Sequence, residues 1–172
     1  MVKLLILGTP NTGKTALCVR FMTKRYIGEY DHKKEITYRC CRLVDQEAVD
    51  LEILDTSYKE RWSPSLKASI CWADGFLLLY SITHRQSFLE VSRLKRLIDQ
   101  SKQSLAVPTV LVANKADLEI GREVTTEEGQ RLAHDLRRVL DQQRPLTYRR
   151  SYMLTMRHAL TTKLTRSKTM QW

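Results

Sequence analysis

The sequence predicts an α/β fold: a mostly parallel, open sheet with helices on both faces. Strand-like and helix-like segments alternate along the chain, with a single hairpin inserted among them. The run Phe76 to Tyr80 is apolar throughout, which is typical of a strand in a parallel sheet that is covered on both faces. Ligands of such folds bind beyond the carboxyl ends of the strands.

Composition is that of one soluble globular domain. The chain has 172 residues, of which 42% are hydrophobic and 28% charged. Its apolar runs, such as Leu4 to Leu7, fall far short of the ~20 residues of a membrane-spanning helix, and no signal-peptide pattern follows Met1. A cytoplasmic protein is therefore expected. The four cysteines show no C-x-x-C spacing, which favours reduced thiols over a zinc site or a disulfide framework.

The first half of the chain reads as strand, helix and hairpin. Val2 to Leu7 is a strand that ends at Gly8, and Ala16 to Met22 is an apolar helical segment. Tyr38 to Val44 and Val49 to Leu54 are rich in strand-forming residues, so the intervening Asp45-Gln46-Glu47 is predicted to be a hairpin turn.

The second half continues the alternation. After the strand Phe76 to Tyr80, apolar residues recur at helical spacing, at Phe88, Val91, Leu94 and Ile98. Pro108 then opens a second buried strand, Thr109 to Ala113. Thr125 and Glu128 form a capping box for a further helix, which runs through Leu132 and Leu136.

The C-terminal part has a different character. Residues 137–172 hold nine Lys/Arg and one acidic residue, a net charge of +8. We expect a domain over residues 1–136 and a basic tail over residues 137–172. Two readings of the tail stay open: an amphipathic helix marked by Met153, Met156, Leu160 and Leu164, or a solvated, disordered segment. Because no aromatic-interleaved motif accompanies the charge, no specific nucleic acid is predicted as a partner.

A phosphate-binding loop is the first motif with a chemical meaning. Gly8-Thr9-Pro10-Asn11-Thr12-Gly13-Lys14-Thr15 fits G-x-x-x-x-G-K-[ST] and lies between a strand and a helix, as that motif requires. Backbone N–H groups of such a loop surround a β-phosphate, the lysine reaches the β- and γ-phosphates, and the threonine hydroxyl binds Mg²⁺.

A guanine-reading motif follows the last predicted strand. Asn114-Lys115-Ala116-Asp117 comes directly after Ala113, at the same edge of the sheet as Gly8. The Asp117 carboxylate can accept hydrogen bonds from the ring N–H and the exocyclic amine of guanine, while the Lys115 stem lies along the purine. Adenine offers neither donor, so a guanine nucleotide is the predicted ligand.

These motifs, together with Asp55-Thr56 at a strand end and the segment from Phe21 to Asp31, resemble those of Ras-superfamily GTPases. Trp72 to Phe76 and Thr126 to Gly129 narrow the resemblance to the estrogen-regulated growth inhibitor group. It covers residues 2–136 and implies a Ras-like G domain that binds GTP or GDP with Mg²⁺. Its implied nucleotide-binding residues are Gly8, Thr9, Pro10, Asn11, Thr12, Gly13, Lys14, Thr15, Ala16, Tyr26, Asp55, Asn114, Lys115 and Asp117.

The same resemblance assigns roles within that set. Tyr26 packs against the guanine edge, Thr15 ligates Mg²⁺, and Asp55 holds it through water. Lys14 supports phosphate chemistry. Residues 30–38 and 55–70 are the two switch segments, through which effector or regulator proteins would bind.

Three positions depart from the family pattern. Lys33 replaces the switch threonine that ligates Mg²⁺. Asp55-Thr56-Ser57-Tyr58-Lys59 replaces Asp-Thr-Ala-Gly-Gln, which puts Lys59 at the position that usually orients water. Pro10 removes an N–H from the phosphate loop. The predicted function is a small GTPase that hydrolyses GTP slowly as a signalling switch. The alternative is a pseudo-GTPase, an interaction module that does not cycle.

The end of the chain departs further. The family's last strand, last helix and Ser-Ala-Lys-like purine box are missing or replaced, which predicts reduced stability; an altered splice or reading frame is one hypothesis. Thr169 to Trp172 contains no C-a-a-X cysteine, so no lipid anchor is expected. We expect a cytoplasmic monomer with at most weak association with anionic membranes.

Overall fold

The fold was analysed in a computed structural model, which describes residues 1–23, 35–44, 46–56, 63–103 and 107–142. The strands in these ranges are β1 (Val2–Leu7), β2 (Ile36–Val44), β3 (Glu47–Asp55), β4 (Gly75–Ser81) and β5 (Thr109–Asn114). The α-helices are α1 (Lys14–Thr23), α2 (Pro64–Trp72), α3 (Arg85–Lys102) and α4 (Thr126–Gln142). A 3₁₀ turn, Glu119–Gly121, precedes α4. No helix in the described ranges is long and apolar enough to cross a bilayer.

The strands form one sheet in the order β2-β3-β1-β4-β5. All neighbouring pairs are parallel except β2 and β3, which form the antiparallel hairpin. The central strand β1 has Ile6 opposite Asp55 of β3 and Leu7 opposite Leu78 of β4. The carboxyl ends of β1, β3, β4 and β5 therefore lie at one edge of the sheet, and this edge carries the predicted motifs.

The sheet is covered on both faces, as predicted. One face packs against Leu17, Cys18 and Phe21 of α1. The other packs against α2 and α3, and Leu132 and Leu136 of α4 border the same cluster. Every residue of β4 is buried, which explains why its sequence shows no polar alternation. The predicted α/β class is confirmed.

Local start signals fix the helix ends. The capping box of α4 is formed: Glu128 N donates to Thr125 Oγ1 at 3.2 Å, and Thr125 N donates to Glu128 Oε2 at 2.9 Å. The helix α2 begins after Ser63, whose hydroxyl accepts from Leu66 N at 3.1 Å, with Pro64 at its first position.

Several boundaries differ from the sequence prediction. The hairpin strands are longer than predicted, because Glu47 pairs with Val44 instead of lying in the turn. The turn is short, and Gln46 adopts a left-handed φ of 71°. The helix α1 begins at Lys14 rather than Ala16, and α4 continues to Gln142. The helix α2 was not predicted. The expected loss of the last strand and helix concerns residues 143–172, which lie outside the described ranges.

Candidate nucleotide site

The phosphate loop joins β1 to α1 and needs glycine at two positions. A Cβ on Gly8 would lie 2.5 Å from the Leu79 carbonyl oxygen, because the loop passes directly over β4. Gly13 has a φ of 93°, and a Cβ there would collide with the Asn114 amide nitrogen. Both glycines thus let the backbone approach its neighbours closely.

Between these glycines the loop makes a left-handed turn at Asn11, whose φ is 64°. Asparagine tolerates this region better than most residues with a side chain, because it can hydrogen-bond locally. Pro10 precedes it and is exposed, with φ fixed by its ring and no N–H to donate. The loop therefore offers fewer backbone donors on its outer side than a loop with glycine at position 10.

Lys14, the first residue of α1, bends back across the loop. Its Nζ donates to the carbonyl oxygens of Gly8, at 2.9 Å, and of Thr9, at 3.1 Å. The side chain is 7% exposed. Burial lowers the pKa of the ammonium, and the nearby Asp55 carboxylate opposes that shift. A phosphate group at the loop would supply the anionic partner that this buried cation needs.

The predicted metal ligands meet at the same edge. Thr15 Oγ1 donates to Asp55 Oδ2 at 2.6 Å, although the two residues lie 40 positions apart in the chain. Asp55 ends β3 beside β1 and is 2% exposed. A hydroxyl and a carboxylate are oxygen donors of the kind that Mg²⁺ prefers, so these residues fit the implied ion. The Thr56 hydroxyl anchors this strand end by donating to the Ile6 carbonyl oxygen at 2.9 Å.

The guanine motif begins at the last residue of β5. Asn114 Nδ2 donates to the Thr12 carbonyl oxygen at 2.7 Å, which ties the motif directly to the phosphate loop. Lys115 has a left-handed φ of 62°, and Leu118 N donates to the Lys115 carbonyl oxygen at 2.9 Å, closing a turn. Asp117 lies in this turn with its side chain exposed, so its carboxylate is accessible to a ligand.

The structure thus brings together the loop from Gly8 to Ala16, Asp55, and the motif from Asn114 to Asp117. Four predicted positions, Tyr26, Lys33, Tyr58 and Lys59, lie outside the described residues. Of the two switch segments, residues 35–38, 55–56 and 63–70 are described, at the starts of β2 and α2 and at the end of β3.

Sequence reasoning assigned no distinct role to two of the hydroxyl groups that organise this edge. The Thr12 hydroxyl donates to the Thr9 carbonyl oxygen at 2.9 Å, and the Thr56 hydroxyl secures β3 against β1. Thr12 occupies one of the unspecified positions of the loop motif, so the pattern gave no signal for it. Thr56 followed Asp55 in the quoted pair, but nothing in the sequence showed which carbonyl it would meet.

Known proteins show the same relationship. The Ras family model matches residues 3–140. The Ras-related and estrogen-regulated growth inhibitor of Homo sapiens is 48% identical over 135 residues, which are 78% of this chain and 67% of that protein. Ras-like protein rasS of Dictyostelium discoideum is 40% identical over 134 residues, 78% of this chain and 69% of that protein.

A third relative, GTP-binding protein Rit2 of Mus musculus, is 37% identical over 133 residues, which are 77% of this chain and 61% of that protein. The predicted resemblance to the estrogen-regulated growth inhibitor group is confirmed by the identity given above. The chain therefore belongs to the Ras family, whose members are small GTPases that bind guanine nucleotides.

Proposed function

We propose that this protein is a magnesium-dependent guanine-nucleotide switch that binds GDP and GTP and hydrolyses GTP slowly. The observation that carries the proposal is the 2.7 Å hydrogen bond from Asn114 Nδ2 to the Thr12 carbonyl oxygen. It fixes the phosphate loop and the guanine motif beside one another, at the separation set by neighbouring parallel strands. A nucleotide across this junction would have its phosphates at the loop and its base at Asp117.

Each part of the site has a defined task in this proposal. Backbone N–H groups around Gly13 and the start of α1 would surround the β-phosphate, and the buried Lys14 ammonium would contact the β- and γ-phosphates. Thr15 and Asp55 would hold magnesium, which neutralises phosphate charge when bound. Asp117 would select guanine by accepting two hydrogen bonds, and Tyr26 would pack against the base.

Slow hydrolysis is the finer part of the proposal and depends on substituted positions. The Lys59 ammonium has donors but no acceptor, so it cannot hold an attacking water by its proton. Lys33 as an ammonium cannot ligate magnesium, and Tyr58 adds bulk where the family has glycine. Pro10 removes one backbone donor near the γ-phosphate. Even an intact Ras site turns over at only about 10⁻⁴ s⁻¹ without a partner.

Single-turnover hydrolysis of γ-labelled GTP tests this part. The wild type is compared with Lys59→Gln and with the double variant Lys33→Thr, Lys59→Gln. We expect the double variant to be the fastest, because it restores both a magnesium ligand and a water acceptor. If the wild type matches an intact Ras domain and neither variant is faster, these positions do not limit hydrolysis.

The same substitutions favour a second candidate, a pseudo-GTPase that keeps the fold and bound GDP but does not cycle. Lys33, Tyr58 and Lys59 remove γ-phosphate sensing while the phosphate and guanine motifs stay intact. The nucleotide content of the purified protein, followed by its affinities for GDP and GTP, separates the two. A switch exchanges GDP for GTP, whereas a non-cycling module retains GDP and binds GTP far more weakly.

Partners and location complete the proposal. Effectors or regulators would bind through residues 30–38 and 55–70, which include the starts of β2 and α2. We propose a cytoplasmic monomer, in which the basic tail gives only weak, salt-sensitive association with anionic membranes.

A further inference from the structure

Thr12 combines complete burial with hydrogen bonds in two directions. It lies in the middle of the phosphate loop and is 0% exposed. Its hydroxyl donates to the Thr9 carbonyl oxygen at 2.9 Å, and its own carbonyl oxygen accepts from Asn114 Nδ2 at 2.7 Å. Thr12 is therefore the residue through which the guanine motif is connected to the first half of the loop.

The Thr9 carbonyl has a second donor, the Lys14 ammonium, at 3.1 Å. When a phosphate enters the loop, Lys14 is the group expected to turn toward it, which weakens the bond from Lys14 to the Thr9 carbonyl. The Thr12 hydroxyl would remain as the side-chain donor that holds this carbonyl in place.

Pro10 makes the orientation of that carbonyl unusually important. In an ordinary peptide group a flip would exchange a carbonyl oxygen for an N–H on the phosphate side. The peptide between Thr9 and Pro10 carries no N–H, so a flip would bring only a partial negative charge toward the anion. A device that holds the Thr9 carbonyl is therefore worth more here than in a loop with glycine at position 10.

We propose that the Thr12 hydroxyl is a positioning group, which holds the Thr9–Pro10 peptide in the orientation that accepts a phosphate. The inference rests on the proposed nucleotide binding. A simpler role also exists, because threonine often donates to a carbonyl three residues earlier and a buried hydroxyl needs a partner. The two roles differ in their consequence: a purely structural bond stabilises the free and the bound protein equally, whereas a positioning bond changes affinity.

The test compares Thr12→Val, which removes the hydroxyl at nearly constant shape, with Thr12→Ser, which keeps it. Titration of the full-length protein with GDP and Mg²⁺ gives the dissociation constant, and chemical denaturation gives the stability of the nucleotide-free protein. We expect Thr12→Val to bind GDP about tenfold more weakly, since an unsatisfied buried carbonyl carries a penalty of that order, and Thr12→Ser to bind like the wild type. Thr12→Ala replaces Thr12→Val if valine prevents folding.

A double-mutant cycle with Pro10→Gly sharpens the test. Glycine restores an N–H to the peptide, so the loss caused by Thr12→Val should be smaller in that background than in the wild type. Equal loss in both backgrounds, or unchanged GDP affinity with lowered stability of the free protein, would show a structural bond only. If the wild type itself binds no GDP, the proposed function and this inference both fail; if only the variants match it, the inference alone fails.

Discussion

At Gly13 the backbone has a φ of 93°, and the Asn114 amide occupies the space that a Cβ would need. A side chain at this position meets a conformational cost and a collision together. The residue is therefore held by geometry as well as by the phosphate that the loop is proposed to bind.

Gly13→Ala should consequently destabilise the fold. A side chain in a left-handed conformation costs about 1–2 kcal/mol, to which the displacement of Asn114 adds. Chemical denaturation of the nucleotide-free protein measures the loss. Gly121→Ala is the matched control, since a Cβ at Gly121 would meet its nearest neighbour, Thr83 Cγ2, at an ordinary 3.5 Å. Equal stability of the two variants would show that the loop relaxes around the added methyl group.

Residue roles were predictable where the motif specifies them. Gly8, Gly13, Lys14 and Thr15 follow from the loop pattern, because each performs a task that few other residues can perform. The Thr12 hydroxyl was not predictable, since its value depends on a carbonyl three residues away and on an amide 102 residues away.

The start of α4 shows how one element is tied to its neighbours. Glu128 closes the capping box with Thr125 and also pairs with Arg85 at the start of α3, at 2.6 Å. The hydrogen bond from Arg85, followed by that from the Thr125 backbone, lowers the pKa of Glu128 to about 2. The pair joins two helices that flank the loop carrying the guanine motif.

Glu128→Gln should therefore change the acid stability of the protein. The folded pKa of about 2 lies below the ordinary value of 4.5, so the stabilisation is present above about pH 4.5 and is lost as the pH falls through about 2. Glutamine keeps the shape of the capping box but carries no charge. We expect the free energy of unfolding of the variant to fall less steeply between these pH values than that of the wild type.

Glu127→Gln, in the same helical turn, provides the control for acid unfolding. Identical slopes for the wild type and Glu128→Gln, followed by urea denaturation across that pH range, would mean that the pair with Arg85 does not contribute to stability in solution.

At this scale the strands were easier to predict than the helices. The apolar run of β4 and the capping box of α4 were both present in the sequence and in the structure. The helix α2 was missed although Ser63 and Pro64 mark its start, because its short apolar pattern follows a segment assigned to a switch. Its boundaries depend on packing against β1 and α3, which local sequence does not report.

Across the whole molecule, alternation of strands and helices predicted the sheet and the edge at which ligands bind. The strand order places β1 at the centre, so that the phosphate loop, Asp55 and Asn114 converge although they are distant in sequence. The proposed division at residue 136 separates this nearly neutral body from a basic tail, whose charge is visible in sequence alone.

The basic tail predicts how the molecule meets membranes. Each Lys/Arg near an anionic leaflet contributes about 1 kcal/mol, but a purely electrostatic contact is screened by salt. The protein should sediment with phosphatidylserine liposomes at low ionic strength and dissociate at about 1 M salt, where the Debye length is about 3 Å. Neutral liposomes serve as the control. Binding that persists in high salt would contradict a purely electrostatic association.

The central claim, a magnesium-dependent site that reads guanine, is tested most directly by measuring the affinity for GDP and for ADP in the presence of Mg²⁺, in the wild type and in Asp117→Asn. The account predicts that the wild type binds GDP about 10⁴-fold more tightly than ADP, because adenine leaves the Asp117 carboxylate without its donors. Asp117→Asn should lose GDP affinity and gain affinity for xanthosine diphosphate, whose 2-oxo group accepts from the asparagine amide. Equal affinities of the wild type for GDP and ADP, or binding of neither, would contradict the account.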